Sequence, residues 1–439
     1  MHDSTALLTD RYELTMLDAA LRDGTAARPC VFELFARRLP GGRRFGVVAG
    51  TGRLLDEFSR FRFGEAELAF LSDQRVVDAS TIRFLENYRF AGTMTGYREG
   101  ELYFPGSPIL TVEGTFAEAV ILETLALSVL NYDSAVATAA ARMSIAAGER
   151  PLSEMGSRRT GERSAIAAAR AAYIAGFGAT SNLEAGRTWG VPTMGTAAHA
   201  WTLLHDDELS AFRSQIAALG TDTTLLVDTY DIARGVEHAI EAGGTGLGGV
   251  RIDSGDLPTV ARAVREQLDG LGATKTRITV TSDLDEFAIA SLAASPVDDY
   301  GVGTSLVTGS GYPAAGMVYK LVARQDAGGS WIPVAKASAD KASVGGRKTA
   351  SRVLSHGTAV EERIVIADGF DDRPVGVAAD ARALQVSLVE RGEADAAYTG
   401  SAGVAAARTH HAAVREELPV RALALSKSDP AIPTVFHAE

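Results

Sequence analysis

Between residues 151 and about 324, short apolar runs alternate with Ala-rich amphipathic stretches, and this alternation limits the fold more than any other feature. The runs have the length of buried strands and the stretches have the length of helices, which predicts repeated βαβ units. The candidate strands are 152–155, 175–178, 191–195, 225–228, 249–252, 278–281 and 300–303. About seven parallel strands at this spacing predict a modified α/β barrel.

The barrel is expected to occupy residues 148–324, with a second, smaller domain built from both ends of the chain. Residues 1–115 mix strand-like pieces (30–36, 92–97, 109–112) with helical ones (14–22, 50–59, 65–74), and residues 116–147 predict a buried helical connection. Strand patterns return at 331–334, 362–367 and 385–388, separated by a predicted basic loop at 336–352. We expect residues 325–439 to fold back on the first sheet, giving an α/β protein with a discontinuous α+β sheet domain.

Composition excludes several classes of protein. The formal net charge of −12 argues against nucleic acid as the main partner. Cys30 is the only cysteine, so an intramolecular disulfide framework is excluded. The first residues lack the pattern of a secretory signal, and apolar residues do not run uninterrupted for the ~20 positions of a membrane span. These features predict a cytoplasmic protein that binds no membrane.

Polar residues follow several of the predicted strands at their carboxyl ends. Residues 251–256 read Arg-Ile-Asp-Ser-Gly-Asp, residues 281–283 read Thr-Ser-Asp, and residues 301–305 read Gly-Val-Gly-Thr-Ser. Such strand ends converge on one face of an α/β barrel and form its active site. Asp253, Asp256 and Asp283 suit ribose hydroxyls or hydrated Mg²⁺, and capping of the following helices is the alternative, most strongly for Asp256.

His199 lies where an apolar run ends and a helix is expected to begin. Free backbone N–H groups at a helix start attract anions, so an imidazole there can bind a phosphate or accept one covalently. The alternative is a histidine packed against an Ala-rich surface. His205 is expected at the surface, and His410 and His411 are expected to be solvated.

Six segments in order resemble the nicotinate phosphoribosyltransferase family over nearly the whole chain. They are 8–16 (Leu-Thr-Asp-Arg-Tyr-Glu-Leu-Thr-Met), the helical stretch 123–143, 154–159 (Glu-Met-Gly-Ser-Arg-Arg), 195–199 (Gly-Thr-Ala-Ala-His), 251–256 and 303–305 (Gly-Thr-Ser). The resemblance implies a seven-stranded α/β barrel with a smaller sheet domain. It also implies transfer of a phosphoribosyl group from phosphoribosyl pyrophosphate to nicotinate, coupled to ATP hydrolysis through a phosphohistidine at His199.

The resemblance also assigns the site residues and partners. His199, Arg251 and Arg158 are expected to be catalytic, with nicotinate bound by Tyr12, Thr196, Arg251 and Ser181. Phosphoribosyl pyrophosphate is expected to contact Arg158, Asp253, Ser282, Asp283, Gly303, Thr304 and Ser305. ATP and Mg²⁺ are the implied cofactors, the metal being carried mainly by substrate phosphates rather than by protein ligands. A homodimer with shared active sites is implied, in which Tyr12 reaches into the neighbour's site.

Several other functions remain open from the residues alone. They are a phosphoribosyltransferase for nicotinamide or quinolinate, a non-catalytic metabolite-binding protein on the same scaffold, and an unrelated phosphate-binding barrel enzyme such as an aldolase. An aldolase needs a lysine at a strand end, and the seven predicted ends carry none. Nicotinamide-using relatives have an aspartate in the loop that here reads Gly-Ala-Thr-Ser-Asn at 178–182, which favours the acid as substrate.

Overall fold

A computed structural model describes residues 4–335, 343–367 and 380–438. The first part of the chain forms α1 (Arg11–Asp23), β1 (Pro29–Ala36), β2 (Gly46–Val47), α2 (Thr51–Ser59), α3 (Glu65–Asp73), α4 (Ala79–Glu86), β3 (Thr93–Tyr97), β4 (Leu102–Tyr103), β5 (Leu110–Thr115), α5 (Phe116–Val120) and α6 (Glu123–Ala147). The middle part forms β6 (Leu152–Glu154), α7 (Glu162–Ile174), β7 (Ala179–Thr180), α8 (Leu183–Trp189), α9 (His199–Leu204), α10 (Glu208–Leu219), β8 (Thr224–Leu226), α11 (Ile232–Gly243), β9 (Gly249–Ile252), α12 (Leu257–Gly270), β10 (Arg277–Val280), α13 (Glu286–Ser291), β11 (Asp299–Val302) and α14 (Thr304–Val307). The last part forms β12 (Met317–Gln325), β13 (Trp331–Pro333), β14 (Lys348–Ser355), β15 (Thr358–Ile366), β16 (Ala381–Ala383), β17 (Gln385–Glu390), β18 (Glu393–Ala394), α15 (Gly400–Arg415) and β19 (Thr434–Ala438).

The chain divides into two compact units. One is Ala139–Gly311, called here the barrel unit, and the other is Met1–Thr138 with Tyr312–Glu439, called the sheet unit. The division falls at other positions than the expected limits of 115, 148 and 324. In particular, β12 lies inside the range expected for the barrel but pairs antiparallel with β1 of the sheet unit.

The barrel unit contains a curled, parallel sheet that forms a half-barrel. Its strand order is β7-β6-β11-β10-β9-β8, and Thr193 adds one parallel bridge to Thr180 at the β7 edge. The structure therefore has six strands where about seven were predicted, because 191–195 contributes only that bridge. The strand predicted at 175–178 lies instead at Ala179–Thr180, since the chain first ends α7 and turns at Gly176.

Burial explains why the strands of this sheet read as apolar runs. Val250, Ile252, Ile278, Val280 and Val302 are fully buried, as expected for a parallel sheet covered on both faces. Because all six strands are parallel, their carboxyl ends lie along one edge of the sheet. The loops that leave this edge carry the candidate site.

The sheet unit draws its strands from both ends of the chain. A seven-stranded sheet has the order β13-β12-β1-β5-β3-β17-β18, in which the late strands β12 and β17 flank the early ones. A four-stranded sheet, β16-β14-β15-β19, comes entirely from the last part of the chain. The strand predictions at 331–334, 362–367 and 385–388 correspond to β13, β15 and β17.

The predicted helical connection is present as α5 and α6. Within the described ranges, Phe116–Ala147 is the one helical stretch long and apolar enough to cross a membrane. In this protein 67% of its most apolar window is buried. That share is typical of a core helix, as predicted from apolar residues on all faces.

The loop predicted at 336–352 is wrong from Lys348 onward. Residues 336–342 of the predicted loop lie outside the described residues, but from Lys348 onward the segment is strand β14. Lys348 Nζ donates to Glu33 Oε2 at 2.8 Å, and Arg352 Nη1 donates to Glu101 Oε1 at 3.0 Å, so both cations are buried in ion pairs.

The prediction that His410 and His411 are solvated is also wrong. His411 is buried, and its Nδ1 donates to the Gly100 carbonyl at 2.9 Å. Burial lowers the pKa of His411 to about 4. His410 Nε2 lies 2.9 Å from Glu101 Oε2.

Candidate active site

Each of three neighbouring strands, β8, β9 and β10, is followed by two aspartates with different tasks. The second aspartate caps the next helix: Asp231 accepts from the Arg234 N–H, Asp256 from Thr259, and Asp285 from Phe287 and Ala288. The capping interpretation is therefore correct for Asp256. The first aspartate of each pair lies at the carboxyl edge of the sheet and is not the cap of the next helix. These residues are Asp228, Asp253 and Asp283.

A cavity of about 250 Å³ lies in the barrel unit at this edge. Its lining includes the predicted site residues Arg158, Arg251, Asp253, Ser282, Asp283, Gly303 and Thr304, together with Met155, Arg159, Thr281 and Gly301. Three guanidinium groups and two carboxylates thus meet in one small space. Guanidinium groups bind phosphates and carboxylates bidentately, so the cavity is suited to an anionic ligand that also carries hydroxyls.

Arg251 connects the cavity to the segment before His199. Its Nη1 donates to Thr196 Oγ1 at 2.8 Å and its Nε donates to Thr281 Oγ1 at 3.1 Å. Its Nη2 lies 3.9 Å from Asp253 Oδ2. Burial lowers the pKa of Arg251, while Asp253 and Asp228 oppose that shift, and an arginine remains cationic throughout.

His199 is the first residue of α9, as the sequence predicted, and its ring faces two polar groups. Nδ1 lies 3.1 Å from Thr229 Oγ1, and Nε2 lies 3.9 Å from Asp228 Oδ1. With a proton on Nε2 toward the carboxylate, Nδ1 is left to accept from the threonine hydroxyl. The hydrogen bond to Thr229 therefore orients the imidazole with Nε2 toward the Asp228 carboxylate.

Asp228 is a site residue that the sequence analysis missed. Its side chain is 1% exposed, and Oδ2 accepts from the Asp253 N–H at 2.9 Å and from Ser254 Oγ at 2.7 Å. Oδ1, which faces His199, is buried and lacks a hydrogen-bond partner within the described part of the chain. Burying a carboxylate oxygen without a hydrogen-bond partner costs folding free energy. Protonation or phosphorylation of the neighbouring imidazole would change that cost. The available signal was its place directly after the 225–227 run, as Asp253 follows β9.

Two backbone features bring the loops around the cavity together. Ser282 has a φ of +113°, a conformation that L-residues rarely adopt and that is concentrated at functional sites. At Gly156, a Cβ atom would lie 2.3 Å from Val307 Cγ1 and 3.0 Å from the Gly303 carbonyl oxygen. Only glycine therefore allows the loop after β6, which carries Arg158, to approach the Gly303 turn so closely.

The 178–182 loop lies beside β6 but does not line the cavity. Glu154 accepts from the Thr180 hydroxyl, and burial raises the pKa of this glutamate against that hydrogen bond. Ser181 is exposed and donates its backbone N–H to the Glu154 carbonyl at 2.8 Å. Asn182 caps α8 through the Ala185 N–H.

Four further predicted residues lie outside the cavity lining: Ser305, Tyr12, Thr196 and His199. Ser305 follows Thr304 in α14, and its carbonyl accepts from the Ser310 N–H at 2.6 Å. Tyr12 belongs to the sheet unit, in the first turn of α1, and is 47% exposed. Partial burial and the neighbouring Glu123 raise the pKa of Tyr12 to about 12, so its phenol is neutral.

A parallel half-barrel with guanidinium groups, carboxylates and a Gly-Thr-Ser turn at its strand ends is typical of phosphate-binding α/β barrel enzymes. Residues 7–131 match the family model described as the nicotinate phosphoribosyltransferase N-terminal domain. A nicotinate phosphoribosyltransferase of Mycobacterium tuberculosis is 56% identical over 440 residues, covering 98% of this chain and 95% of the relative. The human relative of the same name is 32% identical over 431 residues, covering 82% and 79%.

The fold agrees with these sequence matches. The crystal structure of human nicotinic acid phosphoribosyltransferase aligns with a TM-score of 0.79 at 26% identity, covering 98% of this chain and 97% of that chain. The chain therefore belongs to the nicotinate phosphoribosyltransferase family.

Proposed function

We propose that this chain transfers the phosphoribosyl group of phosphoribosyl pyrophosphate to nicotinate. The products are nicotinate mononucleotide and pyrophosphate, in the first step of NAD synthesis from nicotinate. The observation that carries the proposal is the strand-end cavity, in which three guanidinium groups face two carboxylates. Membership of the family supports the same reaction.

The reaction needs charge stabilisation more than proton transfer. C1 of the ribose becomes cationic as pyrophosphate leaves, and the pyridine nitrogen of nicotinate is already nucleophilic. Catalysis then depends on positioning and on binding the charge of the leaving group. Arg158, exposed at the cavity, is assigned to the pyrophosphate, and Arg251 to the anionic groups held deeper in the site.

The remaining cavity residues suit the rest of phosphoribosyl pyrophosphate. Asp253, Asp283 and Ser282 offer acceptors and a hydroxyl to the ribose, because capping of the following helices is done by other aspartates. Gly303, Thr304 and Ser305 offer backbone N–H groups and hydroxyls to the 5′-phosphate.

Mg²⁺ is assigned to the substrate phosphates. Among the described residues there is no group of three or more His, Cys, Asp or Glu side chains arranged to hold a metal ion. Asp253 and Asp283 fit a hydrated Mg²⁺ that is bound mainly by pyrophosphate, since this ion keeps several waters and takes one or two carboxylates. When bound, it neutralises charge on the departing phosphates.

ATP hydrolysis is coupled to the transfer through phosphorylation of His199. Asp228 and Thr229 hold the ring, and Asp228 also accepts from the backbone N–H of Asp253 in the cavity. A phosphoryl group adds roughly two negative charges at pH 7, so it would change the interactions of nearby guanidinium groups. The phosphorylated enzyme then favours a tight-binding form, and hydrolysis after turnover resets it.

Nicotinate, rather than nicotinamide, is the expected substrate. The Thr196 hydroxyl and the Arg251 guanidinium lie 2.8 Å apart and together offer a hydrogen bond and a positive charge to a carboxylate. Ser181 is neutral and exposed in the loop where nicotinamide-using relatives have an aspartate. An amide in this place would leave the cation without its anionic partner.

The enzyme is proposed to be a cytoplasmic homodimer with shared active sites. Leu203 and Leu204 of α9 are 62% and 75% exposed, and Tyr230 after β8 is 63% exposed. Exposed apolar side chains this close along the chain to His199 and Asp228 are suited to contact with a second copy. Tyr12, also exposed, would then complete the neighbour's nicotinate site.

A coupled assay of mononucleotide formation tests the proposal. Purified enzyme is given phosphoribosyl pyrophosphate, Mg²⁺ and either nicotinate or nicotinamide, each with and without ATP. We expect turnover with nicotinate, stimulation by ATP and little use of nicotinamide. Equal kcat/KM for the two compounds would leave only a general phosphoribosyltransferase, and no product from either would refute the proposal.

A further inference from the structure

The sheet unit contains a second cavity, of about 320 Å³, beneath the C-terminal half of α1. Its floor is apolar and includes Met16 and Ala20 of α1, Cys30 of β1, Phe116 of α5 and Leu321 of β12. Cys30 and Ala20 also belong to the buried core of this unit, so the floor is the outer surface of a packed cluster. The cavity has the size of a small-molecule site.

Two arginines give this cavity its charge. Arg324 pairs with Cys30 across the antiparallel ladder of β1 and β12, so both side chains point to the same face of the sheet. Arg28 lines the same cavity from the turn before β1. In the described ranges neither guanidinium forms an ion pair, and the contact found for Arg324 is a 3.5 Å approach to the Gln325 carbonyl.

The one carboxylate in the lining is already engaged. Asp23 accepts from the Thr25 N–H at 2.9 Å and from the Thr25 hydroxyl at 2.5 Å. The cavity therefore combines an apolar floor with two guanidinium groups and a single opposing charge.

We propose that this cavity is a second ligand site, and that it binds a small apolar carboxylate. The apolar body would cover Met16, Cys30 and Leu321, and the carboxylate would lie between Arg28 and Arg324. Burial of apolar surface and a charge-assisted pair each favour that ligand class. A neutral apolar molecule would leave the two cations with Asp23 as their single counter-charge, and a polyphosphate would leave the floor uncovered.

Occupancy of this site is expected to affect catalysis through α1. The helix presents Met16, Ala19 and Ala20 to the cavity, and Tyr12 lies in its first turn. A ligand beneath the helix stabilises one position of it and hence of Tyr12, which changes the KM for nicotinate more than kcat. This consequence rests on the proposed function, whereas the binding itself does not.

The single cysteine of the chain provides a direct probe of the site. Burial raises the pKa of the Cys30 thiol to about 11, so its modification by a neutral thiol reagent is slow and the rate can be followed by mass spectrometry. Octanoate is titrated against the folded, full-length protein, and octanamide serves as the uncharged matched ligand. We expect octanoate to slow the modification saturably and octanamide to leave it nearly unchanged.

Charge variants separate a built site from general anion binding. Arg28→Gln and Arg324→Gln are each expected to weaken octanoate protection by about tenfold or more, since a charged hydrogen bond is lost. Arg22→Gln in α1, the helix above the cavity, is the control, because Arg22 is 62% exposed and pairs with Asp18 at 3.0 Å. This control should retain full protection.

Calorimetric titration of the parent with octanoate completes the test. Equal protection by octanamide would reduce the site to an apolar cavity and overturn the assignment. A thiol that reacts only after unfolding, together with no heat of octanoate binding, would mean that another surface covers the cavity, which also overturns it. If the parent protein binds octanoate but does not turn over nicotinate, the proposed function is refuted and the second ligand site is retained.

Discussion

His199 and His205 lie at the two ends of one short helix, which makes them a matched pair for testing the phosphohistidine. His199 faces Asp228 and Thr229, whereas His205 Nδ1 hydrogen-bonds the Trp201 carbonyl at 2.9 Å. We expect His199→Ala to abolish ATP hydrolysis and acid-labile phosphate incorporation in a folded protein. His205→Ala should retain both, as measured with γ-labelled ATP. Labelled phosphate on the His199 variant would show that another residue is phosphorylated.

Arg251 is expected to be the most costly cation to remove from the cavity. Arg251→Ala leaves Thr196 and Thr281 without a donor and leaves the bound carboxylate or phosphate unpaired. Truncating one partner of a buried charge pair costs about 2–5 kcal/mol, so kcat/KM should fall by roughly 30-fold or more. Steady-state kinetics with nicotinate measure the effect. A variant within threefold of the parent would remove Arg251 from the active site.

At the level of single residues, the sequence indicates which side chains are candidates for a site, but it does not show which groups they contact. Asp253 was a candidate because it follows an apolar run, but only the structure separates it from Asp256, which caps α12. Asp228 was read as the end of a strand and not as a site residue. Its importance comes from its burial and from its contacts with His199 and the Asp253 backbone, which are 25 or more residues away along the chain.

At the level of elements, the two aspartates after a strand are expected to have separate roles: the first affects activity and the second affects stability. Asp256→Ala removes the cap of α12 and should lower the free energy of unfolding by about 0.5–2 kcal/mol with kcat/KM little changed. Asp253→Asn should instead lower kcat/KM and leave the free energy of unfolding little changed, because Asp253 lines the cavity and accepts from Thr281. Denaturant unfolding and kinetics on both variants test this, and equal losses of activity would contradict it.

Glu286 of α13 connects α6 with the segment after α14, and its contacts predict a dependence of stability on pH. Its carboxylate accepts from Arg142 Nε at 2.9 Å and from Ser310 Oγ at 2.7 Å. Burial raises the pKa of Glu286, but the hydrogen bonds from Ser310 and Arg142 outweigh it and hold the pKa below its usual value. The ionised form therefore stabilises the folded state above the unfolded-state pKa of about 4.3, and this contribution is lost as pH falls below it.

Glu286→Gln should accordingly be less stable than the parent at neutral pH, with a difference that shrinks in acid. The control is Glu241→Gln, whose partner Arg213 is 58% exposed and whose exposed pair should contribute below about 1 kcal/mol at any pH. Urea unfolding at several pH values provides the comparison. A Glu286 difference that grows as the pH falls would contradict the assigned direction.

Element boundaries failed where long-range contacts override local pattern. Basic residues near 348–352 predicted a loop, yet Lys348 and Arg352 belong to a buried strand because Glu33 and Glu101 neutralise them. These partners lie 315 and 251 residues away, so the sequence around 348–352 does not indicate them. The strand expected at 175–178 failed because α7 ends at Ile174 and the chain turns at Gly176 before it pairs at Ala179–Thr180.

For the whole molecule, the repeated βαβ alternation was sufficient to predict the parallel sheet, at whose carboxyl edge the candidate site lies. It was not sufficient to predict the strand count, because the segment around Thr193 has the composition of a strand but forms only one bridge. Residues 325–439, which include β17, were expected to rejoin the first sheet, whereas β12 falls in the range expected for the barrel. The places of these two strands beside β3 and β1 depend on pairings that composition does not encode.

The proposed sharing of active sites between two subunits belongs to the scale of the whole molecule, and it predicts subunit complementation. In a twofold dimer, a heterodimer of Tyr12→Ala and His199→Ala chains would combine an intact Tyr12 from one chain with an intact His199 from the other. After dissociation and random reassociation of equal amounts, half of the dimers are mixed and each has one complete site. About a quarter of the parent activity should therefore return from two inactive preparations.

Each variant reassociated alone is the control and should stay inactive, which shows that handling does not itself restore turnover. Native mass spectrometry of differently labelled chains establishes that mixed dimers have formed. Mixed dimers without recovered activity would mean that Tyr12 and His199 of the same chain serve the same site. A protein that stays monomeric while fully active would refute the shared site altogether, because the exposed Tyr12 would then have no neighbour to reach.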